Sequence, residues 1–302
     1  MRSRLRNRTM TTMAIVGVAL LVSGCAAQSW GTPPAAENTP HATFPALPEA
    51  PPDLPPTSFP EIQARVQQAT ADAAGSGAEI TAVVLDRNTG QTAASGANQS
   101  FPIASVVKLF IADDLLLQES EGKVELSAAD RASLDAMLRS SDDSAAQNFW
   151  DRSGGNAVIS RVKARYGLAG TTAPYNGHWD VTTSTASDLV RYYDKLLNGT
   201  GGLPPEQANI IIGNLAQSTP TGNDGYPQRF GIPEGLYGEP VAVKQGWFCC
   251  WSGPNQLHVS TGVIGADRRY VMAISSLDPT SEAAARANIT QAVKTMFPGG
   301  RI

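Results

Sequence analysis

The chain has 302 residues, with 23 lysines and arginines against 27 aspartates and glutamates and a formal net charge of −4. That balance excludes the basic face that nucleic-acid binding requires. Three scattered histidines and three cysteines without C-x-x-C spacing exclude a zinc cluster and dithiol redox catalysis, and no cofactor is expected.

The N-terminus "MRSRLRNR" carries four arginines and no acid, and an apolar run of ten residues, "MAIVGVALLV", follows. This order is that of a secretion signal, and ten apolar residues fall short of the roughly 20 that span a bilayer. "VSGC" then places small residues before Cys25, the pattern of a bacterial lipobox. The expectation is a signal peptide over residues 1–24, lipidation of Cys25 and anchoring to the outer face of the cytoplasmic membrane. An ordinary cleaved signal with an incidental cysteine is the alternative. Losing the four arginines leaves 19 basic residues against 27 acidic, a net charge of −8, so the lipid alone would hold the membrane. Residues 31–60 contain ten prolines. Such a segment either extends as a semi-rigid stalk or stays without structure. A linker over residues 25–60 and one folded domain over residues 61–302 are therefore expected.

Within that domain, "PEIQARVQQATADAAG" predicts a helix that opens on proline and stops at glycine. "EITAVVLDRNTGQTAASG" predicts two strands around a turn at "RNTG". Helices follow at "SVVKLFIADDLLLQES", twice within "SAADRASLDAMLRSSDDSAAQNFWD", where Ser127 and Asp130 form a capping pair, and at "GNAVISRVKARYG". "TASDLVRYYDKLLNG" and "PEQANIIIGNLAQS" are helical as well. Three strands, "EPVAVKQGWFCC", "QLHVSTGVIGA" and "RRYVMAISSL", and a closing helix complete the chain. The fold class is α+β, a three-layer α/β/α sandwich. One antiparallel sheet is built from both chain ends, terminal helices cover one face, and a helical lobe is inserted between. A ligand is expected in the cleft between sheet edge and lobe.

Three short motifs carry chemistry. Ser105 and Lys108 are three residues apart at a helix start, so they share a face, and the lysine is placed to take the serine proton. Alone, the pair reads equally as a capping serine and a surface lysine. Ser141 and Asp143 sit on a turn before a helix, and Lys244, Gln245 and Gly246 end an apolar strand. In this order the motifs resemble those of class A β-lactamases and their DD-peptidase relatives. The flanks "WDVTTSTASDLVRYYDKLLNG" and "RFGIPEGLYGEPVAVKQGW" extend the resemblance over the folded part.

The resemblance implies that Ser105 is the nucleophile, Lys108 its base or a relay, and Ser141 a proton carrier to the leaving group. Lys244 would depress the Lys108 pKa and attract a substrate carboxylate. The N–H groups of Ser105 and Trp247 would form an oxyanion hole. Arg229 would hold a carboxylate or is a plain surface arginine. Four departures stand out. Asp143 replaces the family's asparagine and is expected to keep Lys108 protonated. Gln245 replaces a threonine or serine. Trp247 would place an indole beside the oxyanion hole, since residues at the parity of Gln245 and Trp247 are those expected to face the ligand. No glutamate lies between Asp142 and Asp180, so the water-activating residue of the lactamases is missing, with only His178 and Asp180 nearby. Lactam turnover is expected to be poor or absent. Two functions remain: a monomeric serine hydrolase or peptidase acting on a small-molecule or peptide substrate of the cell envelope, or a degenerate cleft that binds an envelope ligand without turnover. Cys249 and Cys250 are either two packed thiols or a vicinal disulfide.

Overall fold

The computed structural model describes residues 58–96 and 98–302. The expected signal peptide, Cys25 and residues 31–57 of the proline-rich segment lie outside the described residues. Ser58, Phe59 and Pro60, expected in the linker, instead cap and open the first helix, because Ser58 and Glu61 form a capping box and proline fits the first turn. Helix α1 (Phe59–Gly75) precedes strands β1 (Glu79–Asp86), β2 (Thr92–Ala94) and β3 (Ser100–Pro102). The inserted lobe holds α2 (Lys108–Ser120), α3 (Ala128–Arg139), α4 (Asp143–Arg152) and α5 (Asn156–Tyr166). It continues with β4 (Thr183–Thr185), α6 (Ala186–Asn198) and α7 (Pro205–Leu215), after which the single turn α8 (Ile232–Gly235) packs with α9 on the other sheet face. Strands β5 (Val241–Trp251), β6 (Asn255–Ile264) and β7 (Tyr270–Asp278) and helix α9 (Glu282–Met296) close the fold.

The main sheet has the order β2-β1-β7-β6-β5, with every pair antiparallel. β5 is therefore an edge strand, reached only after the whole helical lobe. Period-2 alternation divides the core between the two sheet faces. Val83, Leu257, Val259 and Ala273 pack into the helical lobe. Val84, Ile264, Met272 and Ile274 pack under α1 and α9. The expected three layers are thus present.

Local signals set the element ends. Ser58 and Glu61 form a capping box at α1, and Ser127 and Asp130 form one at α3. The Asp142 side chain caps α4 by accepting from the Ala145 N–H at 2.8 Å. The β3–β4 pair was not visible in the sequence, because each strand has only three residues. It matters for position: it ties the segment before Ser105 to the segment after Asp180, drawing two distant stretches to one end of the lobe.

Candidate active site

Ser105 does not open the α-helix directly. It lies in a 3₁₀ turn, Ala104–Val107, that runs into α2 at Lys108. In a 3₁₀ turn the side chains at i and i+3 eclipse, which stacks Ser105 and Lys108. The Lys108 Nζ is 2.9 Å from the Ser105 Oγ. Ala104, just before the serine, and Ser141 both hold positive φ, 46° and 59°. Such backbone is costly for residues with a Cβ, by about 1 kcal/mol or more each, and clusters at functional sites.

The lysine amine is the hub of the site. It lies 2.7 Å from the Ser141 carbonyl, 3.0 Å from the Ser141 Oγ and 2.5 Å from Asp143 Oδ1. The Lys244 Nζ reaches the same Ser141 Oγ at 2.9 Å and the Gln245 carbonyl at 3.1 Å. Both lysines are buried, at 0% and 1% exposure, and Ser105 is 8% exposed. A protonated amine has three N–H donors, yet Lys108 faces four oxygens. A neutral amine donates two bonds and accepts one, from the Ser105 hydroxyl, so in either protonation state one of the four contacts is shared.

The pKa directions follow from burial. Lys108 is pushed below the ordinary lysine range because desolvation outweighs the opposing pull of Asp143. Asp143 does pull this lysine toward the protonated form, as expected, but burial opposes it and sets the net direction. Lys244 is pushed well below its ordinary value, first by burial and then by the Lys108 charge beside it. Two amines sharing one hydroxyl oppose each other's protonation.

Gly246 explains itself sterically. A Cβ there would lie 2.6 Å from the Ile103 carbonyl oxygen and 3.2 Å from the Ser105 nitrogen. β5 is pressed against the nucleophile turn, and only glycine permits that approach.

Of the other motif residues, Trp247 lines the cleft as expected and Gln245 does not. Gln245 is buried and turned from the cleft. Its amide donates to the carbonyls of Gln228, at 3.1 Å, and Phe230, at 2.5 Å. It pins the 219–230 loop, which Gln228 also anchors by donating to the Arg139 carbonyl. Strand parity accounts for this: Lys244 and Gly246 face Ser141 and Ser105, so Gln245 must face the other way. Trp247 does line the cleft, but its ring stacks on Tyr226 at 4.7 Å and its Nε1–H donates to Asp224 at 3.3 Å. Lys244 is too deep to line the cavity, and Arg229 is exposed on the surface and lines no part of it. Cys249 and Cys250 are exposed rather than packed and form a vicinal disulfide, where the β5–β6 register shifts.

The cavity over Ser105 has a volume of about 280 Å³. His178 and Asp180 line it, as do Asp143 and Phe248. Sequence reading passed over three contributors. Trp179 lays its ring over Lys108, 4.8 Å from Nζ to the centroid, and donates to Gln147 at 3.1 Å. Asp224 enters from the 219–230 loop. Tyr226 backs Trp247 and bonds to His258 Nε2 at 2.6 Å. The "HWD" run offered a signal for the first; the "NDG" run holding Asp224 reads only as a turn.

Comparison with known proteins gives one family. The model of the β-lactamase enzyme family matches residues 61–131 and 129–297. A protein of Mycobacterium bovis named lipoprotein LppW is 60% identical over 255 residues, covering 84% of this chain and 81% of its own length. Among solved structures, a point mutant of PBP-A, captured as an acyl-enzyme complex with penicillin G, is similar at 20% identity with a TM-score of 0.64, covering 81% of this chain and 98% of that one. A class A β-lactamase from Mycobacterium abscessus is similar at 21% identity with a TM-score of 0.60, covering 76% and 97%. At these identities the likeness to the solved structures is one of fold.

Proposed function

Since the chain belongs to the β-lactamase enzyme family, we propose that it is an envelope lipoprotein performing serine acyl transfer at Ser105, on amide or ester bonds, with poor or absent lactam turnover. The observation that carries this reading is the 2.9 Å contact between the Ser105 Oγ, which lines a cavity, and a buried, pKa-depressed Lys108 beneath it. In the first half-reaction Lys108 takes the Ser105 proton as Oγ bonds to the substrate carbonyl carbon. The N–H groups of Ser105 and Trp247 receive the oxyanion. Ser141, bonded to both lysines, relays the proton to the leaving nitrogen or oxygen as its bond to carbon breaks. Water or an amine then releases the acyl group.

Release is the weak half. The cavity wall offers His178 and Asp180 but no glutamate, and Trp179 covers the lysine from that side. A long-lived acyl-enzyme follows. The family resemblance and the LppW relationship support an exported chain anchored through Cys25, with the proline-rich residues ahead of α1 as a spacer to the domain that opens at Ser58.

A second reading, ligand binding without turnover, is favoured by one observation: the Asp143 carboxylate occupies Lys108 at 2.5 Å. The two are separated by following the protein mass over time with a penicillin and with an activated ester. Acyl transfer predicts a covalent adduct on wild type, absent in Ser105→Ala, that decays over minutes to hours. No adduct with either reagent sinks acyl transfer in favour of binding.

A further inference from the structure

The cleft above Ser105 is negatively charged. Asp143, Asp180 and Asp224 all line it, and the Asp143 side chain is 68% exposed. Among the described residues none of the three is paired with an arginine; their single ion pair is that of Asp143 with Lys108. Lys108 offsets Asp143 alone and leaves Asp180 and Asp224 without an ion pair among the described residues. Lys108 and Lys244 are both buried beneath the lining, and both amines are depressed toward the neutral form. Of the two residues expected to meet a substrate carboxylate, Lys244 is buried and lines no part of the cavity, and Arg229 lies outside it.

Between the carboxylates the walls are aromatic, from Trp179, Trp247 and Phe248. Indole and phenyl faces attract cations, and neighbouring carboxylates strengthen that attraction while repelling anions. Asp224 is held in place by the Tyr226 N–H at 2.9 Å and by the Trp247 indole, so its charge is fixed on this wall.

We infer that this cleft takes an acyl donor bearing a protonated amine, and disfavours one bearing a carboxylate. The inference rests on the acyl-transfer reading for its chemistry, but its charge preference stands on the cavity itself. In the step concerned, the Ser105 Oγ bonds to the acyl carbon and the bond to the leaving oxygen breaks. The Ser105 proton passes through Lys108 to the departing alcohol or phenol.

The test uses the 4-nitrophenyl esters of 6-aminohexanoic, hexanoic and adipic acids on the full domain, reading acylation by nitrophenol release and by mass. The aminohexanoyl ester is expected to acylate Ser105 about tenfold faster than the adipoyl ester at low salt, with hexanoyl between them. Raising salt to about 1 M should shrink the ratio. Asp180→Asn and Asp224→Asn should each reduce it as well. Equal rates, or a faster adipoyl ester, overturn the inference and leave acyl transfer standing. If no ester acylates Ser105, acyl transfer fails. The charge preference is then read from tryptophan fluorescence of Ser105→Ala titrated with 6-aminohexanamide and adipic acid monoamide. Tighter amine binding upholds it, and equal or weaker amine binding overturns it.

Discussion

Two regions a few ångströms apart have different histories written in their side chains. The floor of the cleft, Ser105, Lys108, Ser141 and Lys244, is a closed hydrogen-bonded set with contacts of 2.9 to 3.0 Å between side chains. Its rim is rewritten: Asp143 sits on the lysine, Gln245 faces away, Trp247 leans on Tyr226, and Trp179 covers the amine. Under the proposed acyl transfer, the floor would carry the bond exchange, and the rim would set which molecule arrives and how fast it leaves.

The comparison breaks most readily at the floor. Ser105→Ala should lower the acylation rate by about 10³-fold or more, measured by ester burst kinetics, because no other hydroxyl lies against the lysine in the same turn. A residual rate near wild type would move the nucleophile elsewhere. The largest rim effect concerns stability. His258, bonded to Tyr226 behind the Trp247 wall, is buried and its pKa is pushed down to about 4. An unfolded histidine protonates near 6.5. The unfolded chain therefore binds the proton first, so the stabilisation is full above pH 6.5 and is lost as pH falls to about 4. The loss should reach about 3 kcal/mol in denaturant titrations, and His258→Gln should flatten the slope.

Gly246→Ala tests how closely floor and rim are joined. The added Cβ meets the Ile103 carbonyl at 2.6 Å, so strand and nucleophile turn must part. A loss of about 2 kcal/mol in stability, with slower acylation, is expected. An unchanged acylation rate would show that strand and turn need not touch. Asp143→Asn is the mildest change. It removes the carboxylate that opposes the depression of Lys108, so the rising limb of the pH–rate profile should move to lower pH. A shift to higher pH would assign the limb to another group.

Much of the fold was legible in the sequence because its signals are local. The capping pair at Ser127, the apolar strand runs and the spacing of Ser105 and Lys108 each specify their own neighbourhood. The sandwich and its inserted lobe followed from their order. What was not legible depends on distant segments meeting. The three-residue strands at Ser100 and Thr183 have no pattern of their own. Asp224 reads as a turn residue until Gln228 and Gln245 fold its loop against the cleft. The direction of the Lys108 shift was also beyond the sequence, which shows the neighbouring aspartate but not the burial that outweighs it. Gln245 was placed by family parity, whereas the close approach at Gly246 turns it from the cleft; Trp247 lines the cleft as expected.

The central claim is that a rewritten rim sits over a working floor. The most direct measurement is peptide mapping of the purified domain after treatment with a fluorophosphonate, which needs only an activated serine and little of the rim. The account predicts one stoichiometric adduct, on the peptide containing Ser105, formed faster as pH rises through the depressed lysine pKa. An unlabelled Ser105, or labelling spread over other hydroxyls, would contradict it.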